Sequence, residues 1–63
     1  MAMPTYLLLV GLSMQEILRN RIRAMDGVTI VTKIDNDKLQ VVTHIDPKKF
    51  LSFDGVKKIK QIA

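Results

Sequence analysis

Few side chains in this sequence could do chemistry, and the single histidine is the first to weigh. His44 follows Val41-Val42-Thr43. As a general base it would need a nucleophile and an orienting acid within hydrogen-bond reach. Ser13 and Asp46 are the only obvious candidates for those roles, and no spacing brings them to His44. His44 therefore reads as a surface or interface residue. Asp35 and Asp37 flank Asn36, an oxygen-rich spacing that would suit calcium, but no glycine or glutamate follows at loop spacing. The three residues read as a turn. The chain has no cysteine, which excludes a disulfide framework, a thiolate metal site and a cysteine nucleophile together. With Gly11, Gly27 and Gly55 as the only glycines, no phosphate-cradling loop exists. The expectation is a protein that is not an enzyme and uses no metal or cofactor.

Charge is the next feature with chemical content. Ten Lys and Arg side chains against six Asp and Glu give +4. Arg19, Arg21, Arg23 and Lys33 form one basic group, and Lys48, Lys49, Lys57, Lys58 and Lys60 form a second. Basic charge on this scale attracts nucleic acid through its phosphates. Arg19, Arg23, Lys57, Lys58 and Lys60 would be the phosphate contacts, gripping without reading sequence. Only Tyr6, Phe50 and Phe53 are aromatic, and one aromatic on a sheet is no stacking platform for bases.

These residues must be positioned by a small fold. Sixty-three residues make one domain at most, with a marginal core. Thr5 to Val10 is a continuous apolar run of strand length. Ser13-Met14-Gln15-Glu16 spells a capping box, and Met14, Ile17, Leu18, Ile22 and Met25 form a helical stripe. Gly27 supplies the left-handed residue that ends this helix. Val28 to Ile34 and Leu39 to Ile45 are strand-like, with turn residues Asp35 to Lys38 between them. Pairing Ile34 with Leu39 puts Val28, Ile30, Thr32, Ile34, Leu39, Val41, Thr43 and Ile45 on the core face. Thr29, Val31, Lys33, Gln40, Val42 and His44 then face outward. Asp46-Pro47 opens a second helix. Val56, Ile59 and Ile62 recur every three residues, so that helix is expected to resume over 56–62 with the lysines outward.

Strand, helix, strand, strand, helix is the order of a ferredoxin-like split βαβ domain whose final strand is absent. The expected fold is α+β, order βαββα, with both helices on one face of a three-stranded sheet. Within it, Gly11-Leu12-Ser13, Asp26-Gly27-Val28 and Val41-Val42-Thr43 ahead of Asp46-Pro47 resemble the heavy-metal-associated domain, over about residues 5–51. That family carries Gly-Met-Thr-Cys-x-x-Cys before its first helix. Met14 and Ile17 stand at the two cysteine positions here, so the resemblance implies the fold but not copper or zinc binding. The stretch from Ile22 to Val31 is also similar to small uncharacterised phage proteins, a likeness that implies no activity.

Residues 1–4 read as a disordered or vector-derived start, and residues 5–63 as a single ferredoxin-like domain, either whole or cut short after Ala63. No apolar run reaches the ~20 residues of a membrane span. A soluble, cytoplasmic protein is expected. The apolar first strand would have a bare edge, and large side chains would remain on its outer face. The expected function is therefore protein interaction, with itself as a homo-oligomer or with a partner protein. Tyr6, Leu8, Val10, Val31, Val42 and His44 would form the interface. Nucleic-acid binding through the two helices is the alternative.

Overall fold

The computed structural model describes residues 3–63. The strands are β1 (Thr5–Val10), β2 (Val28–Asp35), β3 (Lys38–Thr43) and β4 (Val56–Gln61). One α-helix, α1 (Gln15–Arg23), and one 3-10 helix, Pro47–Ser52, complete the elements. The strands form a single antiparallel sheet in the order β2-β3-β1-β4. The protein is thus a small α+β fold with one four-stranded sheet.

Alternation along β1 decides which way the sheet faces. Tyr6, Leu8 and Val10 are buried, whereas Thr5, Leu7 and Leu9 are only partly so. Leu39 and Val41 of β3 bury on the same side. Leu18 and Ile22 of α1 and Phe50 of the 3-10 helix close over them, each without exposed surface. Met14, Met25, Val56 and Ile59 pack around this cluster. All helical cover lies on that one face.

Local chemistry explains most of the boundaries. Asp46 caps the 3-10 helix, its carboxylate accepting from the Lys48 backbone N–H at 3.0 Å. Gly27 takes φ +98°, a left-handed value that costs a side-chain-bearing residue about 1–2 kcal/mol. Thr43 is the one buried polar residue among the core positions. Its hydroxyl donates to the Gly27 carbonyl at 2.8 Å and accepts from the Ile45 N–H at 3.0 Å, so both helix exit and strand exit are tied to it.

Several expectations are corrected. The chain from Val56 to Gln61 is a strand, not a helix, and it pairs with β1 through Tyr6–Gln61, Leu7–Lys60 and Leu8–Ile59. The sheet therefore has a fourth strand and β1 has no bare edge. Val56 and Ile59 share the core face three residues apart because the ladder slips between Leu9 and Val10, leaving Lys57 as an extra residue. A bulge of this kind gives a strand the spacing of a helix. The second helix is reduced to six residues of 3-10 helix. In α1 the expected capping box is not made: Met14 holds the cap position without a side-chain hydrogen bond, and Ile17 is 47% exposed.

The β2 faces are also inverted over most of its length. Val28 opposes Thr43, but Ile30 opposes Val42 and Val31 opposes Val41, so Thr29 is bulged out. Beyond that point Val31 and Lys33 lie on the helix side. Ile30 and Thr32 lie on the bare side, with Ile30 52% exposed. The hairpin turn is two residues, Asn36 and Asp37, not four. At the chain's start, Met1 and Ala2 lie outside the described residues. Pro4 belongs to the fold, its carbonyl accepting from the Thr43 N–H at 3.1 Å.

Candidate protein-docking face

The sheet has one covered face and one bare one, and the pairing register shows what lies on the bare one. Across three strands, Lys38, Leu9 and Lys58 form one row, and Gln40, Leu7 and Lys60 the next. Val42 and Thr5 form a third, which Ile30 of β2 extends. Leu7 and Leu9 floor a shallow groove of about 190 Å³ whose walls are Lys38, Lys58 and Lys60. Ile62, 47% exposed, lies just past β4, its N–H bonded to the Thr5 carbonyl at 2.9 Å.

Charge on this face is one-sided. Lys38 is engaged by Asp35 at 3.2 Å and Asp37 at 3.5 Å, and the Asp35 contact chiefly raises its pKa above the ordinary lysine value. Lys58 and Lys60 enter no salt bridge among the described residues. The Asp35 and Asp37 carboxylates at the hairpin tip are occupied with Lys38. Two cations therefore stand beside an apolar groove without a salt-bridge partner among the described residues.

The opposite side of the molecule uses its charges internally. Glu16 accepts from Lys33 Nζ at 3.0 Å and from Arg19 at 2.9 Å. The Lys33 contact, then that of Arg19, holds the Glu16 carboxyl below its ordinary pKa. Gln15 donates its side-chain amide to the carbonyls of Asp35 and Lys38, pinning the start of α1 to the β2–β3 hairpin. A recess of about 570 Å³ between Leu12, Gln15 and the hairpin tip has Gln15, Lys33, Asp35, Asp37 and Lys38 in its lining, all already paired. Among the described residues, no group of three or more His, Asp or Glu side chains converges as metal ligands would. No helix among them is long and apolar enough to cross a membrane.

The residues expected at an interface separate into three sets. Tyr6, Leu8 and Val10 are core, and Val31 packs against it. Val42 is on the bare face and partly buried. His44 lies beyond the end of β3, exposed, and Ser13 and Asp46 form no catalytic cluster with it by any hydrogen bond among the described residues. The phosphate-contact set divides as well. Arg19 and Arg23 are on α1, with Arg19 committed to Glu16, while Lys57, Lys58 and Lys60 belong to β4 and not to a helix. Leu7, Leu9 and Ile30 were not expected on this face. The bulge at Thr29 hid Ile30, and the bulge at Lys57 hid β4, whose alternation Lys58-Ile59-Lys60 was the available signal.

Compared with known proteins, the chain matches no family model, no curated protein and no solved structure.

Proposed function

We propose that the protein is a non-enzymatic, ferredoxin-like module that docks on another protein through the bare face of its sheet. The observation that carries this reading is the Leu7–Leu9 floor with Val42 and Ile30 beside it, on a face over which no layer of the fold lies. A contiguous apolar surface of this kind is characteristic of interaction sites. Face docking is favoured over edge pairing. Both outer strands carry register slips, and β4 adds Lys57, Lys58 and Lys60; bulges and edge lysines discourage strand addition. A foreign partner is favoured over a second copy. Two such faces together would bring Lys58 and Lys60 of each into one interface without a free carboxylate to meet them. The one carboxylate of α1, Glu16, is already held by Arg19 and Lys33.

The test compares the wild-type protein with Leu7→Asp/Leu9→Asp as immobilised baits in an extract of the native host, with retained proteins identified by mass. A protein held stoichiometrically by the wild type and released by the variant, at matched circular dichroism and melting temperature, supports the reading. Equal retention by both overturns it. So does a concentration-dependent dimer of the wild type that Leu7→Asp abolishes, which would make the occupant a second copy.

A further inference from the structure

Resting on the docking reading, the bare face carries enough geometry to specify the chemistry of its occupant. We infer that the occupant is an acidic amphipathic helix of the partner protein, lying along β1 with apolar side chains on Leu7 and Leu9 and carboxylates toward Lys58 and Lys60.

An occupant placed on a sheet face, away from its edges, finds no N–H or C=O groups there to pair with. The β1 ladder is complete on both sides, to β3 and to β4. A buried segment must satisfy its own backbone groups. A helix does so internally, whereas an extended segment does not.

The dimensions agree. Lys38 and Lys58 flank Leu9 from the two strands beside β1, so their backbones stand about 9.5 Å apart at ordinary strand spacing. A helix with its side chains is roughly 10–12 Å across and would rest between them. Lys58 and Lys60 are two residues apart on one strand, about 7 Å along it. Acidic residues four apart on a helix rise about 6 Å and meet that spacing. Apolar residues at helical spacing between them would cover the groove floor.

The electrostatic argument selects acidic over neutral or basic. Lys58 and Lys60 are the cations on this face that enter no salt bridge among the described residues, and the nearby Asp35 and Asp37 already hold Lys38. Covering two ammonium groups without carboxylates would leave them desolvated and unmatched. The same two cations would attract a nucleic acid. The groove between them, however, is aliphatic and offers no aromatic ring to stack a base.

Three synthetic amphipathic peptides of one length test this. They share a leucine stripe and carry Glu, Gln or Lys along its flanks; a labelled single-stranded RNA is the fourth probe. Fluorescence anisotropy is read at low and at physiological salt. The Glu peptide should bind about three- to tenfold tighter than the Gln peptide at low salt, and the margin should shrink as salt rises. Lys58→Glu/Lys60→Glu should invert the order in favour of the Lys peptide. Leu7→Ser/Leu9→Ser should weaken every peptide. Equal affinity for the Glu and Gln peptides, or no inversion in the double variant, overturns the acidic assignment. Binding of none of the peptides, while Leu7→Asp/Leu9→Asp still releases a host protein, overturns the helical occupant and leaves the docking reading intact. RNA that displaces the Glu peptide at physiological salt overturns both in favour of nucleic acid.

Discussion

Leu7, Leu8 and Leu9 are chemically identical neighbours, and truncating each to alanine should separate them sharply. Leu8 has no exposed surface and faces Leu39 on β3 and Ile59 on β4. Removing a fully buried leucine side chain leaves a cavity and costs about 2–5 kcal/mol. A 63-residue domain has roughly 3–9 kcal/mol in all, at about 0.05–0.15 kcal/mol per residue. Leu8→Ala therefore removes a large share of the stability. At about 4–8 °C per kcal/mol for a domain of this size, the melting temperature should fall on the order of 10–30 °C. Leu7 and Leu9 point to the bare face and are only partly buried, and their alanine variants should cost about 1 kcal/mol. Urea unfolding followed by far-ultraviolet circular dichroism reads the difference as a shift in midpoint at constant slope. If Leu7→Ala or Leu9→Ala costs as much as Leu8→Ala, the two faces of β1 have been assigned the wrong way round. The docking face would then fall with them.

Other outcomes follow from the same coordinates. Gly27→Ala should destabilise by about 1–2 kcal/mol in the same urea assay, because alanine meets the left-handed φ of +98° and its Cβ would stand 3.2 Å from Ile45 Cδ1. Gly11→Ala, whose Cβ finds Met14 Cγ at an ordinary 3.5 Å, should stay within about 0.5 kcal/mol. Thr43→Val keeps the shape but leaves the Gly27 carbonyl and the Ile45 N–H without their partner, and should cost about 1–3 kcal/mol. For Glu16 the folded pKa is lowered, so its contribution is present above the unfolded value and is lost as pH falls through the folded one. The urea midpoint of the wild type should therefore decline more steeply than that of Glu16→Gln as pH drops below about 4.3, and less so in high salt.

The sequence was most legible where local chemistry and burial agree. The β1 run, the α1 stripe of Leu18 and Ile22 and the Asp46-Pro47 start are each written in consecutive residues, and each appears where expected. Gly27 is left-handed as expected but does not end α1, which stops at Arg23 with Ala24 as its cap; the glycine turns the chain into β2 instead. The failures in the strands share one cause. Thr29, Ile34 and Lys57 are extra residues in the two outer strands, and each shifts the inside–outside alternation by one. After Thr29 this exchanged Val31 with Ile30 as the inward residue. Around Lys57 it gave Val56 and Ile59 the spacing of a helix. Bulges favour sheet margins, where a strand has one neighbour to constrain it, and a pattern of apolar residues does not record them. The bare face is partly legible: Val42 is placed outward by its own alternation. Leu7 and Leu9 could not be distinguished from Leu8, because three identical residues carry no phase.

The pairing of β1 with β4 also dictates an order of assembly. The β2–β3 hairpin closes over two residues, whereas pairing Tyr6 with Gln61 closes a far longer loop. Loop closure of that length costs entropy that the short hairpin avoids, so β4 is expected to dock after the hairpin has closed. Before it docks, the leucine-rich run of β1 has a naked edge of the kind that recruits other chains. The waiting segment carries Lys57, Lys58 and Lys60, which keep it hydrated and mutually repelling between copies until its own β1 is available. The lysines beside the groove thus act twice in the life of the molecule, first as a safeguard for an unfinished sheet and then as part of its finished surface.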